Sequence, residues 1–366
     1  MKKMFFLFFL GIIMFQLCQA QHRSVHFEEA TLAESLEKAK NERKLVFLDT
    51  YTSWCSACKW MDKTTFQEDR VADFFNTHFI NVKFDTEKGE GLEIKKRYPG
   101  IHSYPTYFIL DTNSKELHRI VGGGLPDEFI LKVKIGMDPK TCLATLAKKY
   151  REGKREREFI ITYLKALEIA GQYQEAEGIA SEYIRELGQN VVDSSNWFLF
   201  RDYMTLNPFC SEFELILEKK KEFIENNGEH AVRELVDAVF LKGAFDMFGR
   251  DENISIDDGE RFRKMVNQNP GKNFKIISMI LDLRDAKLKS TAKLVKVTKR
   301  ELMSSELNSR DKYFLFENIQ QIVLDIGSPK EKKRLKEILK KQVSHISDEQ
   351  LRKYYWDLII KFTVVE

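Results

Sequence analysis

Proline, glycine and cysteine are sparse in this chain: 7, 18 and 5 residues respectively among 366. So little proline and glycine excludes a collagen-like or linker-dominated protein. The 43% of hydrophobic residues excludes an intrinsically disordered one. Charge of a single sign is also missing. Lys and Arg number 59 against 56 Asp and Glu, a formal net charge of +3, which is no nucleic-acid footprint. Beyond the first twenty residues no apolar run approaches the roughly 18 to 20 residues that a membrane-spanning helix needs. What remains is a chain long enough for about two globular domains of ordinary size.

The first twenty residues read as an address. Met1-Lys2-Lys3 is a short basic start, Met4 to Leu17 is almost wholly apolar, and Cys18-Gln19-Ala20 ends in small residues at the −3 and −1 positions of a cut before Gln21. Residues 1–20 are therefore expected to be a signal peptide cleaved after Ala20. A lipoprotein anchored through Cys18 is the less favoured reading, because Phe15-Gln16-Leu17 lacks the small residues that such processing wants. Loss of the two leader lysines takes the formal charge from +3 to +1 and leaves four cysteines: Cys55, Cys58, Cys142 and Cys210.

Two regions follow. Between Phe27 and about Asp138, strand-like and helix-like patterns alternate. A helix is expected over Phe27 to Lys44, a short buried strand over Leu45 to Leu48, and a helix after the first cysteine pair. The stripe Val71, Phe74, Phe75 and Phe79 reads as another helix. A strand over Ile80 to Phe84, a short helix over Gly91 to Tyr98, strands over Tyr107 to Leu110 and Leu117 to Val121, and a helix opened by Pro126 complete the α/β part. After Pro139 strand patterns vanish and apolar stripes at helical spacing recur to the end, for example Phe159, Ile160, Tyr163, Leu164 and Leu167. The domains expected are 22–139 (α/β) and 140–366 (all-α helical hairpins). Ala170-Gly171-Gln172-Tyr173-Gln174-Glu175-Ala176 is like the turn of a tetratricopeptide hairpin, but no second good copy accompanies it, so the region is repeat-like rather than a solenoid array. The charged stretch Lys148 to Glu158 reads as a solvated face.

Chemistry concentrates at Ser53-Trp54-Cys55-Ser56-Ala57-Cys58-Lys59, between the first strand and a helix. Two residues between the cysteines let the sulfurs bridge while Cys55 sits at the helix N-terminus. There, free backbone N–H groups and the positive end of the helix dipole favour a thiolate. An exposed Cys55 would attack a disulfide and Cys58 would resolve the mixed disulfide. A zinc site would want a second close pair, and Cys142 and Cys210 stand far apart in sequence, so no metal is expected. A purely structural disulfide closing so short a loop would constrain the unfolded chain little. Cys142 and Cys210 either pair with each other or stay buried and inert.

The run Leu45 to Cys58 resembles the strand and active-site turn of the thioredoxin superfamily. Asp49, six residues before Cys55, matches the buried acid with which that family moves a proton. Gly100 to Phe108 resembles its cis-proline loop, with Pro105 facing the disulfide and Tyr104 before it, and Val121-Gly122 resembles the strand end with a close-approach glycine. Within the superfamily, the residues from Trp54 to Lys59 followed by Thr65-Phe66 look most like the C-terminal periplasmic domain of DsbD-type transmembrane reductases, with Asp62 where that domain carries a second acid.

The resemblance implies a thioredoxin-like domain followed by a helical one. It implies catalytic Cys55, Cys58 and Asp49 with a redox-active Cys55–Cys58 disulfide, substrate contact by Trp54, Tyr104 and Pro105, and support from Asp62 and Gly122. No cofactor is expected. The partners expected are disulfide-containing client proteins and a membrane-bound or periplasmic electron donor, with no nucleic acid. Ser56-Ala57 brings no positive charge to the thiolate and Asp49 opposes it, so a reductase-like protein is expected rather than a strong oxidant. The other reading is an interaction or scaffold protein in which the helical domain binds a partner and the thioredoxin-like part is a redox-sensing or inert module.

Overall fold

The computed structural model describes residues 23–249, 256–302 and 307–362. The expected leader, with Cys18, lies outside the described residues. Among the described residues no helix is long and apolar enough to cross a membrane. The chain forms two compact units, residues 1–183 and 184–366.

In the first unit, α1 (Leu32–Glu42) begins five residues later than its apolar stripe suggests, because Thr31 and Glu34 form a capping box across the first turn. Phe27 is instead extended and bridges to Asn81, with Glu28 N–H donating to the Asn81 carbonyl at 2.8 Å. The following elements are β1 (Leu45–Tyr51), α2 (Ser56–Lys63), a 3-10 turn over Thr65–Gln67, α3 (Asp69–His78), β2 (Phe79–Asp85), α4 (Gly91–Arg97), β3 (Thr106–Leu110), β4 (Glu116–Val121) and α5 (Pro126–Met137). The sheet order is β2-β1-β3-β4, with β1 parallel to β2 and antiparallel to β3, and β3 antiparallel to β4.

Alternation along β1 separates two cores. Val46 and Leu48 join Leu32, Ala39, Ile80, Val82, Ile94 and Phe108 on the face covered by α1 and α4. Phe47 joins Tyr107, Ile109, Ile120, Met61, Phe66, Phe75 and Phe129 on the face covered by α2, α3 and α5. The second face is rich in aromatics: the Phe47 ring lies 4.8 Å from Phe75 and stacks on Tyr107 at 5.2 Å. Asp49, two residues beyond Phe47, lies on this face beneath α2.

Three further helices follow, α6 (Leu143–Arg151), α7 (Arg157–Ile169) and α8 (Tyr173–Leu187), the last belonging to this unit up to Tyr183. Helices α6 and α7 lie against β4, and Ile169 packs onto the aromatic core. The turn between α7 and α8 places Gly171 at φ +66°, and a Cβ there would stand 3.0 Å from Val121 Cγ2. Most of Lys148 to Glu158 is exposed, but Arg155 stacks on Tyr150 at 3.7 Å and pairs with Glu182 at 3.3 Å, so that residue is a structural contact.

The second unit is helical in its described residues. Its helices are α9 (Ser211–Glu218), α10 (Lys220–Asn227), α11 (Glu229–Gly249), α12 (Ile256–Gln268), α13 (Phe274–Lys289), α14 (Thr291–Glu301), α15 (Ser309–Ile326), α16 (Pro329–Val343) and α17 (Glu349–Lys361). Most neighbouring helices pair, α11 packing on α13, and the buried residues include Phe213, Phe240, Leu294, Phe316, Leu339 and Tyr355.

Candidate active site

Cys55 and Cys58 are joined in a disulfide at the start of α2. Cys55 is the N-cap residue, with extended backbone, and its Sγ accepts the Cys58 N–H at 3.0 Å. The helix start thus directs a backbone donor at the first sulfur, where a thiolate would form on reduction. Cys55 is only 4% exposed, against 5% for Cys58. The expectation of an exposed first cysteine therefore needs correcting for the disulfide form. The exposed neighbour is Trp54, at 64%.

Trp54 is held from two sides. Its indole meets the Tyr104 ring edge-on at 5.8 Å, and Nε1 donates to the Glu87 carboxylate at 3.1 Å. Tyr104 in turn shares a 2.5 Å hydrogen bond with the Thr86 hydroxyl. The Tyr104–Pro105 peptide is cis, and the Pro105 carbonyl accepts the Gly122 N–H at 2.9 Å, which ties the proline loop to the end of β4. Gly122 has φ +82° but open space around a notional Cβ, so its need for glycine is conformational. The close approach falls one residue later, since a Cβ on Gly123 would lie 2.8 Å from Met61 Sδ.

Beneath the helix, Asp49 pairs in register with Lys83 on β2 and with Tyr107 on β3. It is 3% exposed, and its Oδ1 has no hydrogen-bond partner among the described residues. Burial raises its pKa to about 8, the nearby Asp62 carboxylate adds to the rise, and Lys83 opposes it. Asp62, near the end of α2, pairs with the Lys83 ammonium at 3.1 Å. That ammonium also sits 5.2 Å from the Phe27 ring centre. The hydroxyls of Thr52 and Tyr107 are likewise buried without partners, and the Tyr107 hydroxyl is held protonated by burial and by the two carboxylates.

Trp54, next to Cys55 in the chain, meets Tyr104, which precedes the cis Pro105, and Asp62 of α2 acts electrostatically on Asp49. Gly122 stands at the strand end that supports the proline. Lys83, Thr86 and Glu87 belong to the same constellation and were not singled out from the sequence. Lys83 carried one signal, a charged residue inside an alternating strand. Thr86 and Glu87 carried none, since they meet Tyr104 and Trp54 only through the fold. Cys142 and Cys210 are both free thiols, the first buried and bonded to the Thr145 hydroxyl at 3.2 Å.

Residues 28–112 match a family model described as thioredoxin-like. The thiol:disulfide interchange protein DsbD of Haemophilus influenzae is 28% identical over 110 residues, which cover 29% of this chain and 19% of that protein. The chain thus spans about a fifth of the length of the curated relatives that it matches. A solution structure of a disulphide-isomerase candidate from Bacteroides thetaiotaomicron is 42% identical, covering 32% of this chain and 98% of that one at a TM-score of 0.31. The oxidised C-terminal domain of Neisseria meningitidis DsbD is 23% identical over 30% of this chain and 97% of that one, at a TM-score of 0.26. The N-terminal part of this chain is a thioredoxin-like domain and belongs, with the DsbD-type interchange domains, to the thioredoxin superfamily.

Proposed function

We propose that the protein is an exported thiol–disulfide oxidoreductase that works as a reductase on client disulfides. The observation that carries the reading is a Cys55–Cys58 disulfide at a helix N-terminus, with Asp49 buried on the preceding strand and its pKa raised to about 8.

In the reduced protein, the Cys55 thiolate attacks one sulfur of a client disulfide. The client S–S bond breaks, a Cys55–client bond forms, and the other client sulfur leaves as a thiolate. Cys58 then attacks Cys55 Sγ, closes the intramolecular disulfide and expels the second client thiolate. Asp49 takes the Cys58 proton in this step. A pKa of about 8 in the disulfide form keeps that proton on the carboxyl group at neutral pH, ready to return to Cys58 when a donor dithiol restores the two electrons. Trp54, Tyr104 and Pro105 would receive the client strand, and Asp62 with Lys83 would modulate the charge felt by Asp49. The leader pattern supports export to the periplasm, and a membrane-bound or periplasmic dithiol protein is the class of electron donor that such a cycle requires.

Reduction of a model disulfide substrate such as insulin tests the reading. The intact chain should be active, and Cys55→Ser should abolish the activity. Retained activity in Cys55→Ser would overturn the site, and a midpoint potential near that of strong oxidants, about −120 mV, would overturn the reductase direction.

A further inference from the structure

The near-neutral total of this chain conceals a segregation of charge in its second unit. Helices α14 and α16 together hold eleven Lys and Arg against three Glu, an excess greater than the +3 of the whole chain. Their buried sides are mostly apolar, with Leu294, Val295 and Val297 on one and Leu335, Ile338 and Leu339 on the other. The outward sides carry Lys293, Lys296, Lys299 and Arg300, and Lys330, Lys333, Arg334, Lys340 and Lys341, all exposed. The two helices start together, because the Thr291 hydroxyl donates to Glu331 at 2.8 Å. Their charged sides are continuous across a cleft of about 270 Å³ lined by Lys299, Arg334, Glu337, Ile338 and Lys341.

The carboxylates on these helices do not neutralise the surface. Glu331 serves the capping box at Ser328 as well as Thr291, Glu301 pairs with Arg300, and Glu337 pairs with Lys340 at 3.1 Å. Lys293, Lys296, Lys299, Lys330, Lys333, Arg334 and Lys341 have no carboxylate partner among the described residues. Like charges held this close repel one another, a cost that a bound polyanion relieves.

We propose that this face docks the protein on a bilayer surface through anionic phospholipid headgroups. Lysine dominates it, and lysine is depleted at protein–protein interfaces, which centre instead on apolar and aromatic anchors. The face offers no such anchor, since the one apolar residue of the cleft, Ile338, is buried. Nucleic-acid surfaces add aromatic platforms for the bases, which these two helices lack, and the face carries only two arginines, Arg300 and Arg334, among seven exposed lysines. A row of ammonium groups on flexible stems is instead suited to a fluid layer of phosphates, each cation near the surface strengthening binding about fivefold. The inference is independent of the dithiol chemistry proposed above.

The test is co-sedimentation of the mature full chain with phosphatidylcholine vesicles, with and without roughly 30 mol% phosphatidylglycerol. Binding is expected only to the anionic vesicles and should disappear at about 0.5 M NaCl, where the charges are screened. The triple variant Lys299→Glu/Arg334→Glu/Lys341→Glu should bind on the order of 100-fold more weakly while its circular dichroism and disulfide reductase activity stay unchanged. Four results would overturn the proposal: no binding to anionic vesicles, equal binding to neutral ones, a folded triple variant that binds like the parent, or tighter binding to a DNA duplex or an acidic protein than to the vesicles.

Discussion

The main-chain N–H of Leu143 donates to Nδ1 of His118 across 3.1 Å, so a side chain from β4 caps the first turn of α6. An accepting Nδ1 puts the proton of the neutral ring on Nε2. His118 is fully buried, and burial lowers its pKa from 6.5 to about 4. The folded protein therefore binds this proton less readily than the unfolded chain. Its contribution to stability is complete above pH 6.5 and is lost as the pH falls towards 4, by about 3 kcal/mol in total. Urea unfolding followed across that window should show the loss. His118→Asn, whose side-chain oxygen can accept the same N–H without titrating, should flatten the slope; an unchanged slope would assign it to other groups.

Asp49 works in the opposite sense. Its pKa of about 8 in the fold lies above the ordinary 3.8, so the folded state holds the proton more firmly than the unfolded chain does. The group is least costly below pH 4, and its penalty grows as the pH rises to 8, to on the order of 5 kcal/mol at most. Asp49→Asn should raise the unfolding free energy of the disulfide form at pH 8 by a few kcal/mol and leave it nearly unchanged at pH 4. The same variant should slow closure of the Cys55–Cys58 disulfide on a client, with the pH dependence of that step flattened. Stopped-flow measurement of mixed-disulfide resolution reads it directly.

Trp54 is the large exposed side chain beside the sulfurs, fixed by Glu87 and Tyr104. Its truncation to alanine should lower kcat/KM for protein disulfides roughly 5- to 30-fold, the range for losing an aromatic anchor worth about 1 to 2 kcal/mol. Small disulfides, which do not reach across to the indole, should be reduced as before. A uniform loss on both substrates would move the role of Trp54 from client contact to support of the sulfurs.

Gly171 meets two demands at once, a left-handed φ of +66° and a close approach to Val121. Gly171→Ala should cost about 1 to 3 kcal/mol, seen as a lower thermal midpoint. A neutral result would show that the hairpin turn can move away from β4 without loss.

The motif at Cys55 and Cys58 was legible because its signals are local: a strand, a turn, a helix start and a fixed spacing, whereas Asp49 and Pro105 stood out only through the family resemblance. The first helix was misjudged at its start although the capping box at Thr31 and Glu34 is a sequence signal, since apolar spacing alone extended the stripe back to Phe27. The partners Lys83, Thr86 and Glu87 reach the site by strand register and loop closure, which pairwise spacing does not encode. The accessibility of Cys55 depends on which surfaces fold over it and could not be read from its position in the motif. Near-balanced net charge likewise hid the cationic face of α14 and α16, because a sum carries no information about placement.

The helices beside β4 have a consequence for how the chain can be divided. β4 is the last strand of its sheet, and α6 and α7 lie against it. Ending the chain at residue 139, where strand patterns stop, would strip that flank, leave His118 Nδ1 without its donor and remove Ile169 from the aromatic core. An uncovered terminal strand invites hydrogen bonding from a strand of another copy. Helices α6 and α7 thus belong physically with the redox half, and the dithiol is best transplanted into another protein together with them.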